Sequence, residues 1–254
     1  MIHEGTRALI LGGTQGLGLA IAERLRAEGC TRLCIAARDA AKGQAAAAAL
    51  GATFLPLDLA DTASVIACVD AAAAAMGGVD ALAIAGASTD RGSILDTTPE
   101  VFDAMIATNT RGPFFAIQRV AQLARAEGRP AQIVSILSMV IHAGQSFLAP
   151  YSASKAALAN ITKNAANALR RDRIRVNGIN CGWMDTPGED AVQRRHHGGT
   201  DGWLERAEAA QPFGSLVKPA DVAVLASYLL GPASGVMTGS LIDFDQNVSG
   251  AYPE

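Results

Sequence analysis

The run Thr6-Arg7-Ala8-Leu9-Ile10-Leu11-Gly12-Gly13-Thr14-Gln15-Gly16-Leu17-Gly18 decides the fold. Thr6 to Leu11 is a short, largely apolar run closed by Gly12-Gly13, and Leu17, Ala20, Ile21 and Leu25 then recur at helical spacing. That is a strand, a glycine turn and a helix. Glycines at Gly12, Gly16 and Gly18 suit a chain that must turn sharply, let its backbone approach a pyrophosphate and pack its helix close to a sheet. The helix start would turn unpaired N–H groups and the positive end of its dipole toward the phosphates. Thr14, Gln15 and Leu17 lie on the same turn, so the stretch from Gly12 to Gly18 is expected to bind a dinucleotide.

Outward from this turn the pattern repeats. Strands are expected at Arg32 to Ala37, Ala52 to Leu57, Ala81 to Ala85, Gln132 to Leu137, Ile174 to Cys181 and Ser240 to Phe244. Helices are expected at Ala40 to Leu50, Asp61 to Met76, Pro99 to about Arg125, Ala149 to Leu169 and Pro219 to Leu230. Such alternation means parallel strands joined by helical crossovers. The expectation is a single-domain, doubly wound (Rossmann) α/β fold over residues 1–254, with a seven-stranded parallel sheet and no compositional break marking a linker. The alanine tracts Ala45 to Ala49 and Ala71 to Ala75 fall where crossovers are needed and read as helix. The polar segment Met184 to Phe213 interrupts the alternation on the carboxyl side of a strand, where a substrate lid belongs.

Composition excludes several classes of function. With 254 residues and a formal charge of −3, the chain has no strongly basic face for a nucleic acid. No run of about 18 apolar residues suggests a membrane span, and the start Met1-Ile2-His3-Glu4 does not resemble a secretion signal. Cys30, Cys34, Cys68 and Cys181 form no Cys-x-x-Cys pair and read as core residues of a reduced, cytoplasmic protein. His196-His197 with Asp201 brings a metal site to mind, but adjacent side chains point apart and no third ligand is suitably spaced, so no metal is expected. Arg170, Arg171, Arg173 and Arg175 end a helix, where positive charge complements the dipole, and read as solvated structure.

Two further groups of residues bear on chemistry. Roughly 20 residues past the glycines, where a dinucleotide fold reads the adenosine ribose, stand Ala37, Arg38 and Asp39. Arg38 would attract a 2′-phosphate and favours NADP; Asp39 is the alternative ribose ligand and favours NAD. Asp58 and Leu59 follow the third strand, with Asp58 placed either at the adenine edge or as a helix cap. Farther along, Tyr151-Ser152-Ala153-Ser154-Lys155 puts a tyrosine and a lysine on one face of a helix. Ser138 lies upstream at the end of the fifth strand, and Asn109 sits in Thr108-Asn109-Thr110-Arg111-Gly112, a polar interruption of the long helix.

These residues together resemble the short-chain dehydrogenase/reductase family over essentially the whole chain. Gly12-x-x-x-Gly16-Leu17-Gly18 resembles its cofactor turn, and Asn109, Ser138, Tyr151 and Lys155 resemble its catalytic tetrad in order and spacing. Arg175-Val176-Asn177, Gly182 and Thr186 resemble its sixth strand and following loop, and Thr238-Gly239 and Asp245 the surroundings of its last strand. The resemblance implies the strand order 3-2-1-4-5-6-7, an NADP or NAD cofactor also touched by Ala85, Gly86, Gly182, Met184 and Thr186, and a homotetramer or homodimer. It further implies Lys155 on the nicotinamide ribose, Ser138 on the substrate oxygen, Tyr151 as proton donor or acceptor with its pKa lowered by Lys155, and Asn109 maintaining a water chain. Three departures stand out. Ala83-Ile84-Ala85-Gly86 lacks the family's two asparagines, Cys181 replaces a common proline, and Gln246-Asn247 replace a usual pair of glycines.

The implied activity interconverts a secondary alcohol and a ketone; the rival reading is a dinucleotide-binding redox sensor without turnover. The polar lid, with Glu189, Asp190, Arg194, Arg195, His196 and His197, points to a small polar substrate such as a polyol, sugar or hydroxy acid. His142, Gln145 and Trp183 are further candidate substrate contacts. An apolar ketone or acyl substrate is the alternative, lined by Trp183, Met184, Trp203 and Phe213.

Overall fold

The computed structural model describes residues 1–251, so residues 252–254 of the expected domain lie outside the described residues. In chain order the elements begin with β1 (Arg7–Leu11), α1 (Gly16–Ala27), β2 (Arg32–Ala37), α2 (Ala40–Leu50), β3 (Thr53–Pro56), α3 (Thr62–Met76) and β4 (Ala81–Ile84). Next come α4 (Pro99–Ile106), α5 (Gly112–Ala126), β5 (Ala131–Ser138), α6 (Ala149–Leu169) and β6 (Ile174–Cys181). Then follow α7 (Pro187–His196), α8 (Trp203–Ala209), α9 (Pro219–Leu230) and β7 (Leu241–Phe244).

All seven strands are parallel, in the order β3-β2-β1-β4-β5-β6-β7, as the resemblance implied. β1 is buried along its whole length because helices cover both faces of the sheet. Its side chains alternate accordingly. Leu9 and Leu11 join a core with Val65 and Cys68 of α3 and Val120 of α5, while Ala8 and Ile10 join another with Ile21 of α1 and Val222 of α9.

Local chemistry sets the boundaries. Asp61 caps α3 by accepting from the Ala63 N–H at 2.9 Å, and Thr98 caps α4 ahead of Pro99. The alanine tracts lie within α2 and α3. β3 is an edge strand that ends at Pro56, a position an edge strand tolerates.

Two features differ from expectation. The helix expected from Pro99 to Arg125 is interrupted between α4 and α5 by a π-helical turn, Ala107–Arg111, at the polar stretch around Asn109. Arg175 is not solvated. It is half-buried and donates to the Gly231 carbonyl at 2.9 Å and to the Ser234 hydroxyl, tying β6 to the end of α9.

Candidate active site

The glycine turn is built for close approach. Gly12 has φ +83°, and a Cβ there would lie 2.4 Å from the Gly86 nitrogen; a Cβ on Gly18 would lie 2.0 Å from the Gly12 carbonyl oxygen. Gln15 at the start of α1 makes no side-chain cap bond, so no side chain of its own occupies the N–H groups of the first turn. A turn without Cβ atoms, opening onto free helix N–H donors, fits the diphosphate of a dinucleotide.

The turn borders a cleft of about 1310 Å³ at the carboxyl edge of the sheet, where the strand order reverses between β1 and β4. Gly12, Thr14, Gln15, Gly16, Leu17 and Gly18 all line it. At one end stand Arg38, Asp58 and Leu59, with Ala85 and Gly86 on the floor. Ser138, Gln145, Tyr151 and Lys155 line the other end, facing Gly182, Trp183, Met184 and Thr186.

Side-chain bonds distinguish the alternatives at the adenosine end. Arg38 and Asp39 are both exposed on the cleft wall, but Asp39 also caps α2, its carboxylate accepting from the Lys42 N–H at 3.0 Å. Lys42, one turn into α2, adds a second cation there. Asp58 accepts from the Ala60 N–H at 2.9 Å while lining the cleft, so it is both a turn-stabilising group and a wall residue.

At the catalytic end Tyr151 and Lys155 lie one turn apart on α6. Lys155 is buried, its Nζ donates to the Ile136 carbonyl at 2.8 Å, and it stands 5.8 Å from the centroid of the Tyr151 ring. Burial pulls the Lys155 ammonium down to about 8. Burial likewise pushes the Tyr151 phenol up to about 12, the neighbouring Ser138 hydroxyl acting in the opposite direction. The expectation that Lys155 holds the phenol below its usual value therefore does not describe the free protein, in which burial dominates.

Asn109 is held in a network of hydrogen bonds. It is buried and does not line the cleft. Its amide accepts from the Ser88 N–H at 2.8 Å and donates to the Ser88 carbonyl at 2.8 Å and the Ser154 hydroxyl at 3.0 Å. The π turn aims this side chain, and Thr110 adds a bond to the Ser154 carbonyl at 3.0 Å. Asn109 thus clamps the loop after β4 to the turn of α6 carrying Tyr151 and Lys155. That loop lacks the family's asparagines and is held instead by Ala85 and Gly86 N–H groups donating to the Leu11 carbonyl, each at 2.9 Å.

Two expected substrate contacts lie elsewhere. His142 turns to β7, where its Nε2 is 2.9 Å from the Asp243 carboxylate, because the loop after Ser138 curls toward that strand. His196 lines a smaller cavity of about 290 Å³ beside the cleft, and its neighbour His197 lines the cleft itself. The lid is ordered by Trp183 donating to Glu189 at 2.8 Å and by Trp203 donating to Asp190 at 2.7 Å. Sequence reasoning missed Lys42, Arg91 and Phe147, all on the cleft wall. Lys42 had a signal, a cation four residues after Arg38 on the opening turn of a helix; Arg91 and Phe147 are loop residues brought together only by the fold. Among the described residues there is no metal-ligand cluster and no helix long and apolar enough to cross a membrane.

A family model described as enoyl-(acyl carrier protein) reductase matches residues 12–248. The chain is 32% identical over 250 residues to a sorbitol dehydrogenase of Cereibacter sphaeroides, covering 95% of this chain and 96% of that one. It is 32% identical over 246 residues to a galactitol 2-dehydrogenase of Agrobacterium fabrum, covering 94% and 95%. A crystal structure of a short-chain dehydrogenase from Burkholderia cenocepacia in complex with NADP superposes with a TM-score of 0.86 at 30% identity, covering 97% of this chain and 98% of that one. With the glycine turn and the Ser138, Tyr151 and Lys155 cleft in place, these likenesses establish that the chain belongs to the short-chain dehydrogenase/reductase family of NAD(P)-dependent oxidoreductases.

Proposed function

We propose that the protein interconverts a secondary alcohol and a ketone with NADP in preference to NAD, on a small polar substrate. The observation that carries this reading is the convergence of Ser138, Tyr151 and Lys155 with the glycine turn on one cleft. When bound, the nicotinamide supplies or accepts the hydride. Ser138 donates a hydrogen bond to the substrate oxygen and stabilises charge developing there. Tyr151 gives its phenolic proton to that oxygen during reduction and takes it back during oxidation. Lys155 holds the nicotinamide ribose and, when charged, makes Tyr151 the stronger acid. Arg38, with Lys42 nearby, favours a 2′-phosphate, while Asp39 is engaged in capping α2.

The polar lid and the likeness to sorbitol and galactitol dehydrogenases support a polyol, sugar or hydroxy acid as substrate. Four buried free cysteines suit a reducing cytoplasm. The chain works as one domain and assembles as a homotetramer or homodimer through the helices that carry Asn109 and Tyr151.

A spectrophotometric screen of polyols, sugars, hydroxy acids and their ketones with both cofactors tests the reading. Turnover is expected with NADP, and Tyr151→Phe should lower kcat by roughly 10²–10⁴ while leaving NADP affinity unchanged. Unchanged turnover in that variant would remove Tyr151 from the mechanism.

A further inference from the structure

Arg91 is a half-buried guanidinium on the wall of the catalytic cleft. Among the described residues it has no carboxylate within ion-pairing distance, the adjacent Asp90 turning instead to Arg195 at 3.8 Å. Its place is fixed by main-chain bonds. The Gly92 N–H donates to the Phe147 carbonyl at 3.0 Å, and the Ala149 N–H donates back to Gly92 at 3.0 Å. This ties residue 91 to the first turn of α6, the helix that carries Tyr151.

The side chain is held too. Its Cζ lies 5.4 Å over the centroid of the Phe147 ring, Nη1 donates to the Thr89 carbonyl at 3.2 Å, and Nε donates to His197 Nε2 at 3.0 Å. Nη2 carries no hydrogen bond to the described residues. Its charge reaches the reacting end. Besides the burial that dominates Tyr151, Arg91 draws the phenol pKa down and Glu189 draws it up.

A guanidinium that is partly desolvated, stacked and aimed without a counter-ion is prepared for an anion, and its planar donors match a carboxylate. A phosphate is a poorer match, because a single guanidinium balances only one of a dianion's two charges. A neutral polyol leaves the charge uncompensated. We infer that Arg91 binds a carboxylate of the substrate, so that within the alcohol and ketone chemistry proposed above, on which this inference rests, the substrate is a short hydroxy acid and its oxo acid partner.

The test compares 3-hydroxybutyrate with 3-hydroxybutanamide, which share a skeleton and differ in charge. Calorimetric titration into the NADP-loaded protein should show the acid binding about tenfold or more tightly than the amide. Arg91→Met should abolish that difference while leaving NADP and amide affinity unchanged, and Arg91→Lys should restore part of it. Equal affinity for acid and amide, binding of neither, or a parallel loss of both in Arg91→Met overturns the carboxylate site. Turnover is read separately. Acid-selective binding that disappears in Arg91→Met, without turnover of any alcohol, upholds the site and rejects the alcohol and ketone reading. Turnover of neutral diols without preference for the acid does the reverse.

Discussion

Arg38 is where cofactor choice rests on a single side chain. It is exposed on the cleft wall, and the competing carboxylate of Asp39 is committed to the start of α2. A charge-assisted contact to a 2′-phosphate is worth about 1.5–3 kcal/mol, so Arg38→Ala should weaken NADP binding by about 10- to 100-fold and leave NAD binding unchanged. Calorimetry with both cofactors decides it; tighter binding of NAD than NADP by the wild type would shift the assignment to Asp39. Lys155 yields a pH prediction. Burial lowers its ammonium to about 8, below the ordinary 10.5, so its charge is present below that pH and lost above it. Without the charge Tyr151, itself near 12, becomes a weaker acid, so kcat/KM for ketone reduction should be level below about pH 8 and fall above it. Lys155→Met should lack that break, and a wild-type profile level far above pH 8 would show that the Lys155 proton has no part in the rate. Tyr151, Lys155 and Ser138 were legible in the sequence because helical spacing and a strand end are local signals. Burial is not local, and so the direction of the Tyr151 shift was not legible.

Among the elements, the turn between α4 and α5 shows where local reading stops. The run around Asn109 is a polar break in an apolar helical pattern, and where one continuous helix was expected the structure has a π turn. Its purpose could not be read, because the partners of Asn109, Ser88 and Ser154, lie 21 and 45 residues away. Asn109→Ala would strip both polar groups of the partly buried Ser88 backbone of their partner, costing about 1–3 kcal/mol. We expect a lower urea midpoint and, because the Ala85 to Ser88 loop lines the cleft, weaker NADP binding as well. If stability falls while NADP affinity and kcat are untouched, Asn109 supports the fold alone. The lid follows the same rule. Its polarity marked it as a lid, but only the folded chain shows that Trp183 and Trp203 are tied to Glu189 and Asp190, and that His197, not His196, faces the cleft.

For the molecule as a whole, seven strands alternating with six helices were enough to predict the parallel sheet. Strand order was not contained in the alternation and came from the family resemblance. Assembly is the remaining question at this scale. α4 and α5 flank the turn carrying Asn109 and expose Val101, Phe102 and Phe114 at 37%, 44% and 42%. α9 exposes Val224 and Tyr228 at 47% and 41% on another side. Scattered apolar side chains are ordinary on a surface, but large ones recurring on neighbouring helices are what a self-complementary interface requires. The α4 and α5 face is therefore expected to pair two copies, with a tetramer forming if the α9 face pairs as well. Light scattering of the wild type should give two or four times the chain mass. Phe114→Glu should reduce that mass by placing an unpaired charge in the pairing surface, and Tyr228→Glu should convert a tetramer to a dimer without touching a dimer built on α4 and α5. A wild-type protein that scatters as a monomer at working concentration would remove assembly from the reading, and an unchanged mass in Phe114→Glu would move the interface off these helices.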